Sequence, residues 1–136
     1  MNEVFSILQQ NPVVGFATVD EHGNPQARAF QVMLIEDGKI YFCTGSGKCV
    51  YQQIQTHPYV AFTVTSPQYV SVRVEGTTQF VDDLALKERI LEKNPTVKAI
   101  YQSADNPVFK IFYLEHGKAE IFDLSTLPPK RQNFTF

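Results

Sequence analysis

The sequence predicts a mainly β protein, an antiparallel sheet of about six strands closed into a small barrel with helices packed outside. Three observations lead there. Apolar or alternating segments bounded by turn clusters recur along the 136 residues, helical periodicity is confined to short stretches between them, and strict β-α-β alternation is absent. A chain of this length makes about one domain, residues 1–136, and hides about two thirds of its unfolded surface. Its 43% hydrophobic and 12% aromatic residues supply that core.

Each element has a local reason. Val4, Phe5, Ile7 and Leu8 stand at helical spacing in Asn2 to Asn11, and Pro12 ends the pattern because a residue before proline is pushed out of the α region. Val13–Val19, Gln26–Ile35 and Ile40–Cys43 read as a three-strand meander joined by Asp20–Pro25 and Glu36–Lys39, both rich in turn formers. Thr44-Gly45-Ser46-Gly47-Lys48 then feeds a short helix over Cys49–Gln55, with Val50 and Ile54 on one face. Tyr59–Thr65 and Tyr69–Phe80 are strands, and in the second Val70, Val72 and Val74 alternate with Ser71, Arg73 and Glu75, so one face is core and the other wet.

Asp82 and Asp83 precede a helix over Leu84–Asn94, where they suit capping and the macrodipole. Leu84, Ile90 and Leu91 are its expected inward residues, and Pro95 stops or kinks it before a turn at Lys98–Tyr101. Val108–Glu115 and Lys118–Leu124 read as a hairpin through His116-Gly117, and 125–136 as an irregular tail. Val108, Phe109, Ile111, Phe112, Tyr113 and Leu114 put apolar groups on both faces of one strand. A helix or a second subunit must cover the outer one.

Composition removes several function classes. Twelve Lys and Arg against fourteen Asp and Glu give a net charge of -2, far from the basic excess of a duplex-binding domain, so nucleic acid is not the expected partner. No apolar run approaches the ~20 residues that span a bilayer, and Met1-Asn2-Glu3 lacks a signal peptide's basic start, so the expectation is a cytoplasmic protein without a membrane partner. Cys43 and Cys49 are too few for a disulfide scaffold and lack the partners of a zinc site; both are expected as thiols. Cys49, in a first helical turn beside Lys48, is either a packed thiol or an activated one. His22, His57 and His116 adjoin Gly or Pro at turns, share no metal-ligand spacing, and stand in no nucleophile-base motif, which leaves hydrolase chemistry without support.

The segments Gln26-Ala27-Arg28-Ala29-Phe30-Gln31-Val32 and Tyr41-Phe42-Cys43-Thr44-Gly45-Ser46-Gly47-Lys48 carry the chemical signal. A Gly-rich loop opening a helix, with Ser46 and Lys48, offers oriented N–H groups, a hydroxyl and a cation to a phosphate, and Arg28 can add a forked cation. The spacing is not that of a P-loop, so by itself the loop is either an anion cradle or a plain turn.

From about Val4 to Asp123 the order of these pieces resembles the FMN-binding split barrels related to pyridoxamine 5'-phosphate oxidase, including nitroimidazole-reductase-like members. The likeness rests on the helix before Asn11-Pro12, the Gly23 hairpin, Arg28, Thr44 with Ser46-Gly47-Lys48, His57-Pro58-Tyr59-Val60-Ala61-Phe62, and Ser71-Val72-Arg73-Val74-Glu75-Gly76. It implies a six-stranded antiparallel split β-barrel and a homodimer with FMN at the subunit interface. Arg28, Ser46 and Lys48 would hold the phosphate, with Gly47 and Cys49 in the same loop. Ala29, Phe30 and Gln31 would lie along the isoalloxazine, with Cys43 and Thr44 at the ring edge or ribityl chain. The strand Val108–Leu114 would be dimer surface. Gly47 stands where pyridoxamine phosphate oxidases have the Arg of Ser-Arg-Lys, and Arg131-Gln132-Asn133 stands where they carry Arg-x-His, which speaks against vitamin B6 oxidation. The expected function is FMN-dependent electron transfer from a small donor to a small acceptor. An FMN carrier or redox sensor, and a cofactor-free dimeric barrel, are the alternatives.

Overall fold

The computed structural model describes residues 1–136. In chain order the elements are α1 (Asn2–Gln10), β1 (Val13–Val19), β2 (Pro25–Gln31), β3 (Leu34–Glu36), β4 (Lys39–Gly45), α2 (Cys49–Thr56), β5 (Tyr59–Thr65), β6 (Val70–Val81), α3 (Leu84–Lys93), α4 (Pro95–Tyr101), β7 (Phe109–Asp123) and β8 (Lys130–Thr135). All pairings are antiparallel, in the order β2-β1-β5-β6-β7-β4-β3, with β8 added on β7.

One bend closes the barrel. The stretch Gln26–Ile35, read from sequence as a single strand, breaks at Val32–Met33. There Val32 N–H donates to Pro12 O at 2.8 Å and Met33 N–H to Tyr41 O at 2.9 Å. Its first half pairs with β1 and its second with β4, so the two ends of the sheet are one bent strand. Counted that way, and with β8 lying off the path as an addition to β7, the barrel has the six strands expected. The three-strand meander is therefore a folded-over one, whose middle strand serves both rims.

Three further expectations change. Val108–Glu115 and Lys118–Leu124 are not a hairpin but one 15-residue strand, β7. Its first half pairs with β4 and the end of β6, its second with the start of β6 and with β8. Gly117, read as a turn, instead marks where two backbones nearly touch: a Cβ on Gly76 would lie 2.5 Å from His116 O, and one on Gly117 would collide with Glu75 O. The tail expected to be irregular contains β8. Leu84, expected inward, is 53% exposed, and Leu86 takes its place in the core beside Ile90 and Leu91. Asp83 caps α3 as expected, accepting from Leu86 N–H at 3.1 Å, a contact worth about 1 kcal/mol. Pro95 stops α3 as expected: the residue before it, Asn94, leaves the helical region at φ -131° and ψ 81°, and Pro95 itself opens α4.

The apolar residues form two cores. Inside the barrel, Phe16, Phe42, Phe62 and Phe112 pack with Val4 and Leu8 of α1 and Val50 and Ile54 of α2. Outside it, α3 and α4 bury Tyr41, Phe109 and Ile111 under Leu86, Ile90, Leu91 and Tyr101. The double-faced strand is thus covered by helices, and its apolar outer face is not evidence for a second subunit. No helix is long and apolar enough to cross a membrane.

Candidate functional site

Strand alternation sorts the candidate residues into two faces. Arg28 and Phe30 of β2 and Thr44 of β4 are on the inner face, whereas Ala29, Gln31 and Cys43 point outward. The Phe30 and Phe42 rings are 6.3 Å apart. Arg28 lies two residues before Phe30 and Thr44 two after Phe42, so both project toward the barrel end capped by α2. Phe30 itself is half-buried among aromatics, 5.0 Å from the Phe16 ring.

The Arg28 guanidinium is already partly engaged. It donates to Thr18 Oγ1 at 2.7 Å, Phe16 O at 3.2 Å and Gln53 Oε1 at 3.1 Å, and Thr18 Oγ1 donates to Gln53 at 2.6 Å. Burial pulls the Arg28 pKa down from its usual value. A guanidinium has five N–H donors, so two of them remain for a ligand. Thr18 and Gln53 escaped the sequence reading because they meet Arg28 only through the packing of β1, β2 and α2.

Next to this end, the chain leaves β4 through a turn. Lys48 N–H donates to Gly45 O at 3.1 Å and Ser46 N–H to Val108 O at 2.9 Å. Gly45 is buried against the Tyr101 hydroxyl, which would sit 3.2 Å from a Cβ there, while the space around Gly47 is open. The turn presents half-buried Ser46 and exposed Gly47, Lys48 and Cys49 at the start of α2. The Cys49 and Val50 amides have no backbone acceptor, and the Lys48 side chain makes no cap bond. Unpaired N–H groups and a positive dipole end favour an anion here.

Thr44 is 1% exposed, and its Oγ1 is a buried polar side-chain atom without a hydrogen-bond partner. Cys43, on the opposite face of β4, packs toward the α3/α4 core, and burial pushes its thiol up to about 11. Cys49 is exposed. Along α2, a cleft of about 300 Å³ is lined by residues that include Asp20, Glu21, Cys49 and Gln53. Asp20 is spent on the turn before β2, its pKa lowered first by the Asn24 N–H. Two carboxylates make that cleft unsuited to phosphate, which leaves the Ser46–Lys48 side.

The family model described as pyridoxamine 5'-phosphate oxidase matches residues 1–121. The chain belongs to this family. A search of the curated proteins finds no match. Among solved structures, the fold is similar to a NimC/NimA family protein from Clostridium acetobutylicum, at TM-score 0.87 and 24% identity, covering 100% of this chain and 92% of that one. It is similar to a pyridoxamine 5'-phosphate oxidase-related, FMN-binding protein from Nostoc punctiforme, at TM-score 0.68 and 17% identity over 99% and 95% of the two chains. A heme-binding protein from Mycobacterium smegmatis shares the fold at TM-score 0.78 and 17% identity, over 98% of this chain and 56% of that one.

The donors at the start of α2 suit a phosphate group. A hydroxyl, an ammonium and two free amides converge at the start of α2, and the orphaned Thr44 hydroxyl lies on the inner face two residues upstream of Ser46. Arg28 reaches α2 at its second turn, through Gln53, rather than at its first.

Proposed function

We propose that this chain binds FMN and passes electrons from the reduced flavin to a small acceptor. The observation that carries the reading is the set of donors without protein partners at the β4–α2 turn, in a chain of this family. Lys48, Ser46 and the Cys49 and Val50 amides bind the phosphate, and Arg28 contributes charge from β2. Thr44, whose hydroxyl is sealed from solvent and unpaired, donates it to the ligand once the adjoining turn opens to admit it. Bound FMN supplies the hydride or electron step, and the protein's part is to hold it and admit substrate.

The proposal includes a homodimer on the outer face of β2, β1 and β5. There Ala29 stands opposite Gly15, which stands opposite Thr63, and Ala27 opposite Ala17, opposite Ala61. These side chains are small, and exposed Val13 and Tyr59 flank them.

FMN titration followed by flavin fluorescence tests the phosphate assignment. Lys48→Ala is expected to weaken binding by about 1.5 to 3 kcal/mol, roughly 10- to 150-fold. Unchanged affinity would overturn it. Turnover with a reduced nicotinamide and a nitro compound or quinone separates an enzyme from a carrier.

A further inference from the structure

Beyond the β4–α2 turn, the ends of β6 and β7 meet α2 and α3 around a cleft of about 210 Å³, whose walls include Tyr51, Phe80, Asp82, Lys87 and Lys110. Lys87 is the one charged residue in the buried set, its side chain 8% exposed. Burying an ammonium is costly unless it is paired. Its only hydrogen bond goes to Asp82, at 3.0 Å, and that carboxylate is 94% exposed. An ammonium has three donors, so two of them face no acceptor in the chain. The Phe109 ring, 6.0 Å from Nζ, covers one side.

Lys110 also lines the cleft, and both lysines act on Asp82, whose pKa is lowered by the Lys87 hydrogen bond first and by the charges of Lys87 and Lys110. Two ammoniums share one carboxylate, leaving a net positive cleft. The other wall is apolar. Phe80 is a large aromatic left 37% exposed, standing edge-on to Tyr51 with centroids 5.1 Å apart. Sites that enclose drug-sized ligands have ~300 Å³ or more, so the occupant is smaller than a nucleotide.

We propose that this cleft is a second ligand site, taking a small planar aromatic acid with its ring on Phe80 and its carboxylate between Lys87 and Lys110. The incoming carboxylate meets the unused Lys87 donors, and Asp82, already in water, swings aside. The site rests on residues outside the phosphate cradle and stands whether or not the chain binds FMN.

Benzoate is the probe, with benzamide as its neutral counterpart, titrated into the purified protein by NMR chemical shifts. Benzoate is expected to bind with a dissociation constant on the order of 1 mM and to shift resonances around Phe80 and Lys110. Lys110→Gln and Lys87→Met should each weaken it at least tenfold while leaving the folded spectrum intact. The pair keeps the test sound, because Lys110 is only half-buried and its loss does not threaten the core. Benzamide binding as tightly as benzoate, equal benzoate affinity in Lys110→Gln, or no binding at tens of millimolar (~50 mM) would overturn the proposal. So would competitive displacement of benzoate by FMN, which would place both ligands in one site.

Discussion

Replacing Thr44 with valine should have opposite effects on stability and on cofactor affinity. The hydroxyl is buried and has no partner, and an unsatisfied buried polar group costs about 1–3 kcal/mol. Valine keeps the β-branched shape that suits the centre of β4 and removes only the oxygen's polarity. The flavin-free Thr44→Val variant should therefore be more stable by about 1–3 kcal/mol, with a melting temperature higher by roughly 3–5 °C per kcal/mol at this size. If that hydroxyl donates to bound FMN, the same change removes a neutral hydrogen bond worth about 0.5–1.5 kcal/mol, a loss of affinity of roughly 2- to 13-fold. Urea denaturation of the flavin-free protein and fluorescence titration with FMN measure the two effects separately. A less stable variant would mean that the hydroxyl is already satisfied, and the reasoning would fail at its first step. A more stable variant with undiminished FMN affinity would leave the orphaned atom real but place the flavin elsewhere.

Three other outcomes follow from the packing. Gly117→Ala should lower stability by about 3 kcal/mol or more, because the new methyl meets the Glu75 backbone rather than a movable side chain; near-wild-type urea unfolding would contradict the close crossing of β6 and β7. Phe109→Glu should unfold or loosen the α3/α4 layer rather than yield a folded monomer, since Phe109 is fully buried with its ring 4.7 Å from Tyr101. A well-folded monomer by circular dichroism and light scattering would restore the interface reading. For Cys43, burial raises the thiol from 9.0 to about 11. The folded state then keeps a proton that the unfolded state loses, so the stabilisation is full below pH 9 and fades as pH rises toward 11. Its size is on the order of 3 kcal/mol. The stability difference between wild type and Cys43→Ala should shrink across that window, and a pH-independent difference would contradict it.

The candidate site was legible in part. The Gly45–Lys48 turn and the start of α2 are a contiguous stretch, so their donor chemistry can be read from neighbouring residues. Arg28 is different. Its engagement by Thr18 and Gln53 brings together residues 25 and 35 positions apart in pairs, and no local pattern announces such a meeting. The Lys87–Lys110 cleft was invisible for the same reason, because a lysine on a helix reads as solvated until its neighbours are known.

The amino-acid order by itself determined the antiparallel barrel, the short helices and the cradle's donors, because alternation, helical spacing, proline and capping act over a few residues. Only the tertiary structure decided that Gln26–Ile35 bends at Val32–Met33 to join both rims, that Gly117 is a backbone crossing rather than a turn, and that α3 and α4 cover the apolar outer face of β7. Each of those outcomes depends on which distant surface occupies the space beside a segment. Hydrogen-bond partners and excluded volume across the sheet settle that choice, and the local sequence carries no record of it.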